Sequence, residues 1–135
     1  MMDPAEFIRT IYLGDRACKS IIVDGWAEEV RVQIDCISRV RAETWNFYTA
    51  EDLPDGFIVF EGVKKIKWDP NGQIPNDAIT EFTVEPCVTG EAKYVFNMEI
   101  ASGGVAPLGF TPVKIVVFGD AVALSPNDNK TRIRN

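Results

Sequence analysis

Hydrophobic and polar positions alternate with a period of two over the best-patterned stretches of this chain. In Glu28–Tyr48 the first half sets Val30, Val32, Ile34 and Cys36 against Arg31, Gln33 and Asp35. Successive side chains of a strand leave opposite faces, so this is the pattern of a half-buried β-strand. Ile79–Glu85 repeats it, with Phe82 and Val84 opposite Glu81, Thr83 and Glu85. So does Lys93–Ile100, where Tyr94, Phe96, Met98 and Ile100 share a face. Val113–Leu124 opens on the apolar run VKIVVF, suited to a central strand, and Gly119-Asp120 marks a bulge or a division into two.

Turn chemistry separates these runs. Asp24-Gly25 is suited to a tight hairpin, with Ile21–Asp24 and a long strand Trp26–Ile37 as its arms. Asp3-Pro4-Ala5-Glu6 has the cap and first-turn proline of one short helical turn, followed by β-like composition from Phe7 to Leu13. AEDLPDG (50–56) and DPNGQIPND (69–77) read as loops, and Phe57–Phe60 and Val63–Trp68 as short strands between them. Lys64, Lys65 and Lys67 would blunt a sheet edge. Val40, Thr44, Phe47 and Tyr48 approximate a helical period, but Thr44, Trp45, Phe47 and Tyr48 are better strand formers, so strand or irregular structure is expected there.

Together these signals predict a mainly β, single-domain antiparallel β-sandwich or barrel of roughly seven to ten short strands, with at most one short helix. The domain is expected over residues 1–125, and a loose, polar, basic tail over 126–135. The chain has 135 residues, 46% of them apolar, enough to bury a core without metals or disulfides.

Charge narrows the partners. The formal net charge is −6, from 14 basic and 20 acidic residues. Three basic groups fall in KTRIRN (130–135), leaving 11 basic against 20 acidic groups in residues 1–129. An acidic body argues against nucleic acid, whose phosphates are bound by clustered Lys and Arg, and is compatible with a basic protein partner. Solubility alone would also select such a charge. The N-terminus has neither the basic nor the apolar region of a signal peptide, and Ile115–Phe118 is far too short to span a bilayer. Cys18, Cys36 and Cys87 are odd in number and contain no CxxC, which fits a reducing, cytoplasmic setting and structural roles for the thiols.

The absence of histidine removes the usual neutral-pH acid–base group, the Ser-His and Cys-His pairs, and the common zinc ligand sets. No phosphate loop or nucleophile elbow is present. Carboxylates such as Asp15, Glu28, Glu29, Asp35 and Glu43 could form a glycosidase-type pair, but among 20 acids proximity is expected by chance. DPNGQIPND lacks the ligand spacing of a calcium loop, and its Asn and Asp are explained as turn residues. The expectation is a non-enzyme with no cofactor and no metal.

Trp26 and Trp68 are expected in the core, each finding an internal acceptor for its indole N–H. Trp45, with Arg39, Arg41 and Tyr48, has the composition of a binding hot spot, and equally that of arginine stems covering aromatic rings at the edge of the core. The acidic loop residues Glu51, Asp52 and Asp55 would steer a basic partner.

The segments IYLGDR (11–16), ISRVRAETWNFY (37–48), DGFIVF (55–60) and DPNGQIPND (69–77) give a chain that resembles small, acidic, β-rich bacterial proteins. Some of those are immunity proteins of polymorphic toxin systems. The resemblance implies a cytoplasmic protein-binding module with an immunity-like or assembly role, in which a homo-oligomer is one form of partnership. A small-molecule or carbohydrate-binding β domain using Trp45 and Tyr48 is the alternative, and a carboxylate-based hydrolase a further one.

Overall fold

Asp3 starts the helix that the sequence signals. Its carboxylate accepts the Ala5 N–H at 3.2 Å, Pro4 stands at the first turn, and α1 runs Pro4–Arg9. Phe7 is buried from this helix, and the Arg39 guanidinium lies 5.3 Å over its ring. The structure is a computed structural model that describes residues 2–40, 51–69, 74–103 and 111–135.

Eleven strands follow among the described residues: β1 (Ile11–Tyr12), β2 (Cys18–Asp24), β3 (Glu29–Ile34), β4 (Cys36–Arg39), β5 (Leu53–Pro54), β6 (Phe57–Glu61), β7 (Lys65–Asp69), β8 (Ile79–Pro86), β9 (Tyr94–Ser102), β10 (Thr111–Gly119) and β11 (Ala121–Ser125). All pairing is antiparallel. Two four-stranded sheets, β11-β6-β3-β2 and β7-β10-β9-β8, form a sandwich, and a small sheet β1-β4-β5 lies beside them. No barrel closes.

The alternation read from the sequence is the alternation of burial. Val30, Val32 and Ile34 of β3, and Ile58 and Phe60 of β6, meet Phe96, Met98 and Ile100 of β9 and Val113, Ile115 and Val117 of β10 in one core. The rings of Phe60 and Phe96 are 5.0 Å apart. β6 is buried on both faces, since Phe57 and Val59 are also withdrawn from water, which explains its unbroken apolar run.

Two carboxylates turn the chain from sheet to sheet. Asp35 separates β3 from β4, and its Oδ1 accepts the Ala17 N–H at 3.0 Å and the Cys36 N–H at 2.9 Å. The expected single strand Trp26–Ile37 is therefore broken here, because these backbone donors need an acceptor where the ladder changes partners. Asp120 performs the second change, between β10 and β11. Its N–H donates to the Glu61 carbonyl at 2.8 Å, and its carboxylate accepts the Lys93 N–H at 3.1 Å. Gly62 lies against it with φ +63, where a Cβ would stand 2.7 Å from the Asp120 carboxylate.

The segment after Ser125 is docked where the sequence suggested a loose tail. Leu124 and Ile133 pair through both backbone groups, and Ile133 packs on the core. Arg132 reaches Glu29 at 3.3 Å, and Arg134 grips Glu61 with both guanidinium nitrogens. Glu29 and Glu61 are cross-strand neighbours on the outer face of their sheet. Two basic residues of the tail thus answer two acids of the body.

Candidate functional site

The β2–β3 hairpin closes through a four-residue turn, Gly25–Glu28, between the paired residues Asp24 and Glu29. Asp24 Oδ1 accepts the Ala27 N–H at 3.0 Å, and Glu28 adopts a left-handed φ of 55. Trp26 therefore sits at the tip of the turn, 100% exposed, and not in the core where the sequence placed it. The misplacement follows from the turn being two residues longer than Asp24-Gly25 alone suggests.

The turn that carries this tryptophan is braced. The Val63 N–H donates to the Glu28 carbonyl at 2.8 Å, and the Lys64 ammonium pairs with the Glu28 carboxylate. That hydrogen bond holds the Lys64 ammonium above its ordinary pKa. An exposed indole on a fixed turn loses little conformational freedom when it is covered.

Below Trp26 the sandwich is open along one flank, where the edge strands β2 and β7 face each other across the gap between sheets. Val23, Val30, Val63 and Ile66 line one groove there, of about 330 Å³. Ile21, Trp68, Ile74 and Pro75 line a second, of about 300 Å³. Val23 is 56% and Ile74 69% exposed, so three of the four large apolar side chains that are exposed among the described residues border this flank. Trp68, expected in the core, packs against it partly and also lines the second groove.

The described residues among those predicted as a site, Arg39, Glu51, Asp52 and Asp55, do not line these grooves. Arg39 is 2% exposed, donates from Nη2 to Thr10 Oγ1 at 2.8 Å and covers Phe7, so it holds α1 on the body and is not a surface anchor. Arg41, Trp45 and Tyr48 lie outside the described residues. Glu51 is exposed and Asp52 half-buried, just ahead of β5. Asp55, in the turn before β6, pairs with Lys19 at 2.6 Å, which offsets part of the acidic loop's field. Trp26 was within reach of sequence reasoning, because a tryptophan directly after Asp-Gly can belong to the turn as well as to the strand.

The three cysteines are free, as their spacing suggested. Burial pushes the Cys18 thiol up to about 11, while the Thr89 hydroxyl lowers that of Cys87. Among the described residues no three His, Cys, Asp or Glu side chains cluster as metal ligands, and no helix is long and apolar enough to cross a membrane.

A family model described as a family of unknown function, DUF6258, matches residues 2–135. The chain belongs to the DUF6258 family. No curated protein and no solved structure matches it. What distinguishes one surface of this DUF6258 chain from another is therefore its own geometry, and the flank beneath Trp26 is bordered by Val23, Trp26 and Ile74, three of the four exposed large apolar residues among the described ones.

Proposed function

We propose that this DUF6258 chain is a non-enzymatic protein-binding module whose contact surface is the β2–β7 flank, with Trp26 as its anchor. The single observation that carries this reading is a fully exposed tryptophan held on a braced turn, beside exposed Val23. A tryptophan side chain offers about 150–250 Å² of surface, worth roughly 4–6 kcal/mol when taken out of water at ~25 cal/mol/Å², before the entropy of association is subtracted. One such anchor can decide an interface.

The partner is another protein. The pairing of Lys19, Lys64 and Lys65 with Asp55, Glu28 and Glu91 leaves the flank without a strong positive field, so its contact rests on apolar surface and not on steering. A cytoplasmic location and an assembly or immunity-like role belong to the same reading.

The test is affinity capture with tagged wild-type chain beside Trp26→Ala and Val23→Ser variants, both at solvent-exposed positions that leave the fold intact. A stoichiometric protein retained by wild type and lost with either variant supports the reading. A partner retained equally by all three places the contact elsewhere and defeats it.

A further inference from the structure

A sandwich of two four-stranded sheets has four outer edges, and this one protects three of them. β11 is capped by the tail through Leu124 and Ile133. α1 packs along β8, which also carries Glu81, Glu85 and Pro86. β7 presents Lys65 and Lys67, whose ammonium groups lie 5.2 and 5.6 Å over the Phe118 ring. Lysines, proline and covering segments are the usual means of keeping an edge from pairing with another chain. Among the described residues β2 has none of these from Ser20 to Val23, a run of one serine and three β-branched apolar residues. Among the described residues its first residues are engaged on that side, where the Cys18 N–H donates to the Asp77 carbonyl at 3.0 Å.

We propose that β2 pairs antiparallel with β2 of a second copy about a two-fold axis, joining two four-stranded sheets into one of eight strands. This deepens the protein-binding reading above and rests on the same flank. The occupant is a second copy because the edge is complementary to itself. Its apolar run lies between Lys19, which pairs with Asp55 at 2.6 Å in the single chain, and Asp24, which lies 3.7 Å from Arg31, so each end carries a charge that can exchange partners. Antiparallel pairing turns one strand end for end and so sets opposite charges together at both ends of the contact.

The register follows from the faces of the strand. Ile21 and Val23 pair with the buried Val32 and Val30 and point between the sheets, whereas Ser20, Ile22 and Asp24 point outward. A two-fold axis through the sheet preserves these faces, so residues directly opposite must share one. Centring on Ile22 sets Ile22 against Ile22, Val23 against the other copy's Ile21, and Asp24 beside the other copy's Ser20 and Lys19. Centring on Ile21 would set Val23 against Lys19 and lose both matches.

The same register brings in two further exposed apolar residues, Trp26 and Ile74. Trp26 stands beyond one end of β2, and Ile74 and Pro75 flank the other end beside Lys19 and Ser20. End-for-end pairing carries the Trp26 of each copy to the Ile74 of the other. Asp77 already occupies the edge at Cys18, so the pairing stops there, where the incoming chain leaves the edge through its own turn.

Two measurements on the full chain test this. In sedimentation analysis over a concentration series the wild type shows a monomer–dimer equilibrium, and Val23→Lys weakens dimerisation by about tenfold or more, while Glu85→Lys on the β8 edge leaves it unchanged. Thermal unfolding of both variants confirms that they are folded. In a Cys36→Ser, Cys87→Ser background, Ile22→Cys forms an intermolecular disulfide on mild oxidation, because directly opposed residues have Cα atoms about 4.5–5.5 Å apart; Lys67→Cys does not. A chain that stays monomeric at every concentration overturns the second-copy proposal, yet the protein-binding reading survives if capture of a different protein depends on Trp26. A dimer that ignores Val23→Lys, or that cross-links at Lys67→Cys and not at Ile22→Cys, overturns the β2 interface itself.

Discussion

Leu124 and Ile133 exchange both backbone hydrogen bonds, each N–H donating to the other's carbonyl at 2.9 and 2.8 Å. The final residues thereby form a single β-bridge onto the β11 edge, with Ile133 packed on the core between the ion-paired Arg132 and Arg134. Ile133→Pro removes the donor and the register at once. Two backbone hydrogen bonds at about 0.5–1.5 kcal/mol each, together with part of an isoleucine's burial, predict a loss of about 2–4 kcal/mol in urea unfolding. An unchanged midpoint and slope would show that the tail is not docked in solution.

Asp35 is a structural corner. One oxygen accepts the N–H groups of Ala17 and Cys36 where β3 leaves one sheet for another. Asp35→Ala leaves both donors to solvent and lowers stability by about 1–2 kcal/mol, whereas Asp35→Asn keeps an acceptor in place and loses less. Equal losses for the two variants in denaturant melts would mean that the carboxylate's charge matters more than its hydrogen bonds.

Gly62 and Gly25 separate two demands on glycine. Gly62 needs φ +63 and has the Asp120 carboxylate where a Cβ would go, so Gly62→Ala destabilises by about 1–3 kcal/mol. Gly25 has open space around it and no such φ, so Gly25→Ala changes stability by less than about 0.5 kcal/mol. Thermal unfolding of the two variants reads the difference, and a reversed order would contradict the geometry at Asp120.

Cys18 links stability to alkaline pH. Burial raises its thiol to about 11 in the folded chain from an ordinary 9.0. The folded state therefore favours the neutral thiol, a contribution complete below pH 9 and lost as pH rises through about 11. A difference of this size corresponds to roughly 3 kcal/mol. Cys18→Ala should flatten the fall in stability between those pH values relative to wild type, and Cys87 should react with a thiol reagent before Cys18. Parallel pH profiles for wild type and Cys18→Ala would refute the linkage.

The sheets were legible because their period is local. Val30, Val32 and Ile34, and Phe96, Met98 and Ile100, announce a buried face by alternation alone, and Asp3-Pro4 announces the helix. Corners were not legible, since the work of Asp35 depends on Ala17, eighteen residues away, and that of Asp120 on Glu61 and Lys93. The tail reads as polar, and only the positions of Glu29 and Glu61 reveal what Arg132 and Arg134 meet. Trp26 escaped the reading for the same reason. Composition drew attention to Arg39, which the fold buries, and away from Trp26, which two extra turn residues lift into solvent.

The most direct test of the β2–β7 flank as the contact surface is amide hydrogen exchange of the free chain against the chain in the complex it forms, whether with its own copy at high concentration or with a captured partner. Protection gained at Ser20–Asp24 and around Trp26, with β8 and β11 unchanged, is the predicted result. A complex in which those amides exchange as in the free chain, while another face becomes protected, would contradict the account.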